Sequence, residues 1–254
     1  MGGIDIGFDG PVLRARLNRP QKLNAQTPAT WSALAAIPEL VATAECSLIV
    51  LSGEGQSFSA GLDRAMFSPG GIPGERSLVE VAMGSDEAID TFIQQAQAGF
   101  TWPRVVSQPV VAYVQGHAIG AGCQLALAAD IVVIAPDVQM ALRETSLGLV
   151  PDLGITGPLV AAMGYHRAFE LCASGRFMGA EELVSLGLAT TVLPQEAWGH
   201  HEETLLQSLD QIPRGAIGDL KSLLHGATVT PEQLQRERSA QVRRLRSLVA
   251  DLDP

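Results

Sequence analysis

Two glycine-bearing loops contain the residues of this chain whose types and spacing could do chemistry. They read FSAGLD at 58–63 and GHAIGAG at 116–122, and each follows an apolar run that predicts a buried strand. The second loop opens a helix, where backbone N–H groups lack internal partners and lie at the positive end of the dipole. One N–H from each loop could converge on a developing negative charge as an oxyanion hole. Alternatively, the glycines only let the helix pack closely on the sheet, and the loops alone leave both interpretations open.

The elements that must position these loops alternate between strands and helices. Strands are predicted at SLIVLSG (47–53), PVVAYVQ (109–115) and DIVVIA (130–135), and helices at 86–102 and 122–129. A strand, a helix and a further strand at this spacing indicate parallel βαβ units. We therefore predict an α/β fold that begins with a hairpin around Asp9 and Gly10 and is mostly helical from about residue 156 onward.

Composition narrows the class of protein. The chain has 254 residues, 46% of them hydrophobic, and a formal net charge of −10, which disfavours nucleic acid and anionic membrane as partners. Its three cysteines are scattered and form no disulfide pattern, which fits a reducing cytosol. No signal peptide or membrane span is predicted. We expect a cytoplasmic protein that acts on a small molecule.

Several motifs that would indicate other chemistry are missing from the sequence. The glycine spacing at 116–122 is G-x-x-x-G-x-G, which is neither the dinucleotide-binding pattern nor a Walker A loop. The sequence contains no G-x-S-x-G elbow and no H-E-x-x-H motif. We therefore predict no metal and no redox cofactor.

The two loops belong to a longer, ordered series of motifs. NRPQKLNA, SFSAGLD, PVVAYVQGHAIGAGCQLALAAD, RETSLGLVPDLG and the helical stretch that begins GYHRAFELCAS follow one another between about residues 4 and 195. In this order they resemble the crotonase (enoyl-CoA hydratase/isomerase) superfamily. The resemblance implies a crotonase-like ββα spiral core over residues 1–195, which binds acyl-CoA, and a helical C-terminal oligomerisation region over residues 196–254.

The resemblance also implies partners and an assembly. The substrate would be an acyl-CoA thioester, so coenzyme A is part of the substrate and not a separate cofactor. The assembly would be a homotrimer or a hexamer made of two trimers. The variable loop 68–85 would line the pocket for the acyl tail, and its sequence does not name the acyl group.

On matching positions, the two oxyanion-hole donors are the backbone N–H groups of Leu62 and Ala121. Members of the superfamily use two such donors to stabilise an enolate that forms at the thioester carbonyl. Ala121 stands where glycine is usual, but an amide donor needs no particular side chain. Loss of one such donor typically lowers the rate by about 10² to 10³, so we expect these amides to contribute a large share of catalysis.

The acids are incomplete by comparison with the hydratases that the chain resembles. Those enzymes use two glutamates, and here the first position holds Gln124 while the second holds Glu144. An amide can donate and accept hydrogen bonds but cannot exchange a proton at a useful rate. Enoyl-CoA isomerases resemble the E-T-S-L-G stretch and use a single glutamate, which favours an isomerase with Glu144 as the proton carrier.

Asp152 leaves two alternatives open. It lies eight residues after Glu144, where dienoyl-CoA isomerases have a second acid, and it could also serve a hydratase that works with Glu144. As a structural residue it could instead shape the Pro-Asp-Leu-Gly turn or cap the helix near Thr156.

Besides an isomerase and a hydratase, a third alternative for the whole protein is a non-catalytic acyl-CoA-binding protein that retains only the oxyanion hole. Gln124 is the feature that favours it.

The remaining candidate residues are assigned to substrate binding by their place in the motifs. They are Lys22, Ala60, Gly61, Asp63, Gly120 and Gln124. The loop 60–63 resembles the adenine-side wall of a CoA pocket, and Lys22 stands where a cation often approaches the CoA phosphates. The C-terminus lacks the usual basic ending of the superfamily, so we consider the cations of RERSAQVRRLRS, at 236–247, as substitutes.

Overall fold

The predicted N-terminal hairpin is present, and its turn contains Gly10 with a φ of +56°. The computed structural model describes residues 2–212 and 215–226, together with residues 231, 234, 235, 238, 239, 241, 242, 245 and 246. Within these residues the strands are β1 Ile4–Asp9, β2 Val12–Leu17, β3 Leu48–Gly53, β4 Val110–Val114, β5 His117–Ile119, β6 Ile131–Ile134, β7 Gln139–Ala141 and β8 Thr191–Val192. The helices are α1 Pro28–Ala35, α2 Ile37–Ala42, α3 Leu78–Ala82, α4 Asp86–Thr101, α5 Ala121–Leu127, α6 Thr156–Met163, α7 Tyr165–Ser174, α8 Ala180–Ser185, α9 Trp198–Asp210 and α10 Ala216–Gly226.

The main sheet confirms the predicted parallel βαβ units. Its strand order is β1-β2-β3-β4-β6-β8, and only the β1–β2 pair is antiparallel. Strands β3 and β4 are apolar along their buried lengths because helices cover both faces of this sheet. Leu13, Ile49 and Ala112 face the large core that includes α1, α4 and α5. Their neighbours in sequence face the opposite side, where α9 packs through Trp198 and its leucines.

A second, two-stranded sheet was not predicted. The stretch GHAIGAG was interpreted as a glycine turn that opens a helix, but its centre forms β5, which pairs in parallel with β7. Gly116 and Gly120 flank this strand with φ angles of +53° and +52°. The glycines therefore bend the chain at both ends of β5, and the second bend delivers Ala121 to the first position of α5.

The C-terminal region is helical where it is described, as α9 and α10. Lys221 of α10 donates to Asp130 at 2.6 Å, and Asp130 also accepts from the backbone N–H of Val110 at 2.7 Å. Asp130, at the end of the central motif, therefore connects α10 to the start of β4. None of the helices within the described ranges is both long and apolar enough to span a membrane.

Only two cations of the stretch 236–247 are described. Arg238 pairs with Asp90 at 3.2 Å, and Arg246 pairs with Asp86 at 2.7 Å, so both contact α4. The other cations of this stretch lie outside the described residues, and their suggested contact with CoA phosphates stays a prediction.

Candidate active site

The ten residues predicted for the site line one cavity of about 970 Å³. They come from four separate segments of the chain: Lys22; Ala60, Gly61, Leu62 and Asp63; Gly120, Ala121 and Gln124; and Glu144 and Asp152. The fold therefore brings both glycine loops and both candidate acids to one place. Their individual roles remain predictions that rest on the geometry described below.

The loop that contains Leu62 is pressed against the loop that contains Ala121. A Cβ on Gly61 would stand 2.4 Å from the carbonyl oxygen of Ile119 and 3.4 Å from the backbone nitrogen of Ala121. Gly61 also has a φ of +84°. Only glycine therefore permits this approach, which brings the two predicted donor loops side by side.

The backbone hydrogen bonds that the structure describes around the two predicted donors do not use either donor N–H group. Gln26 bridges to Leu62 in parallel, but the two bonds of the bridge use the carbonyl of Gly61 and the N–H of Asp63, at 2.7 and 2.8 Å. Ala121 is the first residue of α5, so no carbonyl lies one turn earlier within the helix to accept from it. Because α5 has only seven residues, we ascribe its contribution to the single amide and not to a helix dipole.

Glu144 is buried, and its two carboxylate oxygens have different environments. Oε1 accepts a hydrogen bond of 2.7 Å from Nε2 of Gln124. Oε2 is also buried, and it has no hydrogen-bond partner among the described residues. The carboxylate of Glu144 therefore points into the fold and meets Gln124.

The orientation of the Gln124 amide follows from its second partner. Its Oε1 accepts from the backbone N–H of Leu153 at 3.1 Å, so the NH₂ group must face Glu144. A Cβ on Gly120 would lie 3.3 Å from Oε1 of Glu144, so glycine at 120 leaves this carboxylate its space. Gln124 thus donates to one oxygen of Glu144, and the other oxygen has no hydrogen-bond partner among the described residues.

Burial raises the pKa of Glu144 above its ordinary value. Hydrogen bonds from its own backbone N–H and from Gln124 lower the pKa, but they do not outweigh the burial. A carboxyl group with a raised pKa is a better proton acceptor once ionised, and it releases the proton again more readily than a strong base would. The position suits a group that must take up and return one proton.

The raised pKa predicts that Glu144→Gln is more stable than the native protein at neutral pH. A folded-state pKa above the unfolded value means that native stability is lost as pH rises through the folded pKa. The amide removes that loss, so the melting temperature should rise by about 2–4 °C per kcal/mol recovered. Thermal unfolding at several pH values measures the difference, which should vanish below the unfolded pKa of glutamate.

The matched control is Glu39→Gln, which exchanges an exposed carboxylate for an exposed amide. It should show no gain comparable to that of Glu144→Gln. An unchanged or lower melting temperature for Glu144→Gln at neutral pH would contradict the burial argument.

Asp152 and Asp63 both line the cavity, but they make different contacts. Asp152 is 8% exposed, and its backbone carbonyl accepts from the side chain of Gln97 at 2.6 Å. Asp63 pairs with Arg19 at 2.8 Å and accepts from the N–H of Ala65. Burial alone would raise the pKa of Asp63, but the bonds from Ala65 and Arg19 lower it overall. Asp63 therefore braces its loop while it lines the cavity.

Most of the apolar cavity wall was missed by sequence reasoning. Apolar side chains from distant segments form it, and they include Trp31, Phe67, Leu78, Phe92, Ile93, Ala96, Leu149 and Leu245. Within the predicted tail-pocket loop 68–85, Leu78 of α3 lines the cavity. Helical periodicity marks Phe92 and Ile93 as buried, but it does not distinguish a core from a cavity wall.

The cavity thus brings the predicted donor amides of Leu62 and Ala121 together with the buried carboxylates of Glu144 and Asp152. The model of the family "Enoyl-CoA hydratase/isomerase" matches residues 7–253. The chain therefore belongs to the enoyl-CoA hydratase/isomerase family, within the crotonase superfamily that its motifs resemble. No group of three or more His, Cys, Asp or Glu residues suited to a metal occurs in the part of the chain that the structure describes.

Relatives with names include both hydratases and an isomerase. A probable enoyl-CoA hydratase of Rhodobacter capsulatus is 32% identical over 85% of this chain and 78% of its own length. The peroxisomal Delta(3,5)-Delta(2,4)-dienoyl-CoA isomerase of Arabidopsis thaliana is 31% identical over 89% of this chain and 81% of its own length. A candidate enoyl-CoA hydratase of Thermobifida fusca YX, solved with acetoacetyl-CoA, is 36% identical over 97% of this chain and 96% of its own, with a TM-score of 0.82.

Proposed function

We propose that this protein is an enoyl-CoA isomerase that moves a double bond from the 3 position to the 2 position of an acyl-CoA thioester. One observation carries the proposal: Gln124 occupies the place of a second acid and donates to Oε1 of Glu144, so that of these two side chains only Glu144 can exchange a proton. A site with a single mobile proton suits isomerisation, because that reaction needs no second acid.

The proposed reaction uses the two amides and the carboxylate in turn. The thioester oxygen accepts from the N–H groups of Leu62 and Ala121. The carboxylate of Glu144 removes a proton from C2, and the electrons of that C–H bond form a dienolate whose charge rests on the thioester oxygen. The same proton returns to C4, the new double bond lies between C2 and C3, and Glu144 is again ionised.

Hydration makes a different demand on the site. Water must lose a proton as it attacks C3 of a 2-enoyl thioester, and C2 must gain a proton. With two acids these transfers can be divided between them, whereas Gln124 can neither accept nor supply a proton. We therefore expect hydration to be the slower reaction of the native protein.

A hydratase that uses Glu144 with Asp152 is the second candidate. Two observations favour it: Asp152 is buried and lines the same cavity as Glu144, and most of the named relatives are called hydratases. The dienoyl-CoA isomerase among the relatives favours the isomerase, with Asp152 as an accessory acid. A non-catalytic acyl-CoA-binding protein is the third candidate.

The test compares two rates of the purified native protein. Isomerisation of a 3-enoyl-CoA raises the absorbance of the conjugated thioester, and hydration of a 2-enoyl-CoA lowers it. We expect isomerisation to be the faster reaction, and a screen that adds 3,5-dienoyl-CoA distinguishes the two isomerase types. A faster hydration would favour the second candidate, and tight acyl-CoA binding without either reaction would favour the third.

We further expect a trimer or a pair of trimers. Exposed aromatic side chains on α7 support an assembly. Tyr165 and Phe169 are 62% and 61% exposed, and their rings stack with centroids 5.8 Å apart. Light scattering at micromolar concentration should give about three or six times the chain mass of 26.8 kDa. The mass of a single chain would contradict this prediction.

We propose the cytoplasm as the compartment because Cys46, Cys123 and Cys172 are all free thiols.

A further inference from the structure

A network of buried hydrogen bonds lies beside the loop that contains Leu62. Trp31 donates from its indole nitrogen to Oε1 of Gln26 at 3.0 Å, and Nε2 of Gln26 donates to Oγ of Ser59 at 3.0 Å. The Ser59 hydroxyl donates in turn to the carbonyl of Asn24 at 2.8 Å. Gln26 and Ser59 are fully buried. The cost of burying these groups is met only because each has a partner.

The donor and the acceptor of every hydrogen bond in this network are determined. An indole nitrogen can only donate, so the Gln26 oxygen must face Trp31 and the NH₂ group must face Ser59. The Ser59 hydroxyl also accepts from the backbone N–H of Gly61 at 3.2 Å. With two bonds accepted and one donated, its full capacity is used. No alternative arrangement of these groups keeps all of them paired.

Ser59 also connects the two predicted donors of the oxyanion hole. Its backbone N–H donates to the carbonyl of His117 at 2.9 Å, and its carbonyl accepts from the N–H of Ile119 at 2.9 Å. Its side chain holds Gly61, which is the residue directly before Leu62. One residue therefore joins the segment before Ala121 to the segment before Leu62.

Gln26 holds the same loop from the other side. Its backbone N–H donates to the carbonyl of Gly61 at 2.7 Å, and its carbonyl accepts from the N–H of Asp63 at 2.8 Å. The two bonds flank Leu62 and so orient the peptide plane that contains its N–H. We propose that Gln26 and Ser59 are positioning residues that aim the Leu62 N–H at the thioester oxygen. This inference rests on the proposed oxyanion hole, but not on the choice between isomerase and hydratase.

The test measures the effect of the oxyanion hole on the thioester carbonyl directly. The measured quantity is the carbonyl stretching frequency of a bound saturated acyl-CoA that is labelled with ¹³C at the thioester carbon. Two aligned donors polarise the carbonyl and lower its stretching frequency. Ser59→Ala and Gln26→Leu should each reduce this lowering and decrease kcat by about 10- to 100-fold, because a displacement near 1 Å costs up to about 10² in rate. KM should change far less than kcat, since the acyl and CoA contacts are retained.

Two further variants separate positioning from general loosening of the fold. The double variant of Gln26→Leu and Ser59→Ala should lose no more activity than one single change, because the two side chains act as one unit. Gln115→Leu is the matched control: this buried amide donates to the carbonyls of Gly53 and Gly55, at 2.7 and 2.9 Å, and not to the loop at 59–63. It should leave the carbonyl frequency and kcat near native. If Ser59→Ala does not fold, Ser59→Cys, which keeps a weak donor and acceptor, should give an intermediate frequency.

The outcomes distinguish this inference from the function on which it rests. If the native protein does not lower the carbonyl frequency, the oxyanion hole and the proposed function fail together. If the native protein lowers it and the Gln26 and Ser59 variants do the same, only the positioning role is overturned. The same result follows if Gln115→Leu reduces the frequency shift as much as they do.

Discussion

Glu144→Gln should lower the turnover of 3-enoyl-CoA by about 10² to 10⁴, the range typical of a lost general acid–base group. The amide keeps the size of the side chain and can still accept from Gln124, so the pocket should retain its shape. Because neither the CoA contacts nor the donor amides change, acyl-CoA binding should stay near native. Steady-state kinetics together with a direct binding measurement test both statements on the same protein.

Asp152→Asn is the informative companion to this variant. It changes a second buried carboxylate of the same cavity and leaves Glu144 in place. The isomerase proposal predicts a much smaller loss of 3-enoyl turnover than for Glu144→Gln. Equal losses would show that the two acids act together, and an unchanged rate in a folded Glu144→Gln protein would remove Glu144 from the mechanism.

Gln124→Glu should raise the ratio of hydratase to isomerase activity by at least about tenfold, since a second general acid–base group typically contributes about 10² or more. The new carboxyl would stand where Nε2 of Gln124 now lies 2.7 Å from Oε1 of Glu144. Two carboxylates so close cannot both be ionised easily, so the pair should share a proton at neutral pH. That arrangement provides an acid and a base at once, which is what hydration requires.

The measurement is a pair of rates, on 2-enoyl-CoA and 3-enoyl-CoA, for the native and the variant protein. Gln124→Leu is the control, because it removes the bond to Glu144 without adding an acid. It should lower both rates and leave their ratio near native. If the native protein already hydrates faster than it isomerises, this prediction loses its basis, and Asp152 becomes the candidate for the missing acid.

Local patterns were sufficient to predict the framework of the fold. The apolar runs at 47–53 and 109–115 form central parallel strands, and the helix predicted at 86–102 is α4. These signals are strong because burial on both faces of a strand, or on one face of a helix, restricts which residue types can stand at each position. The short strand β5 was missed because three residues between two glycines contain too little periodicity to predict a strand.

The sequence by itself therefore determined the family, the α/β fold class and the ten motif residues that meet in the cavity, but not most of its apolar wall, since the order of motifs and the residue types within each motif are local properties. Only the tertiary structure decided how these residues act on one another. The bond from Gln124 to Glu144 spans 20 positions, and the bonds that Ser59 receives from Gln26 and gives to Asn24 span 33 and 35. Whether a carboxylate oxygen has a hydrogen-bond donor depends on partners that distant, because a hydrogen bond needs its two atoms within about 3 Å and local sequence does not encode which distant groups meet.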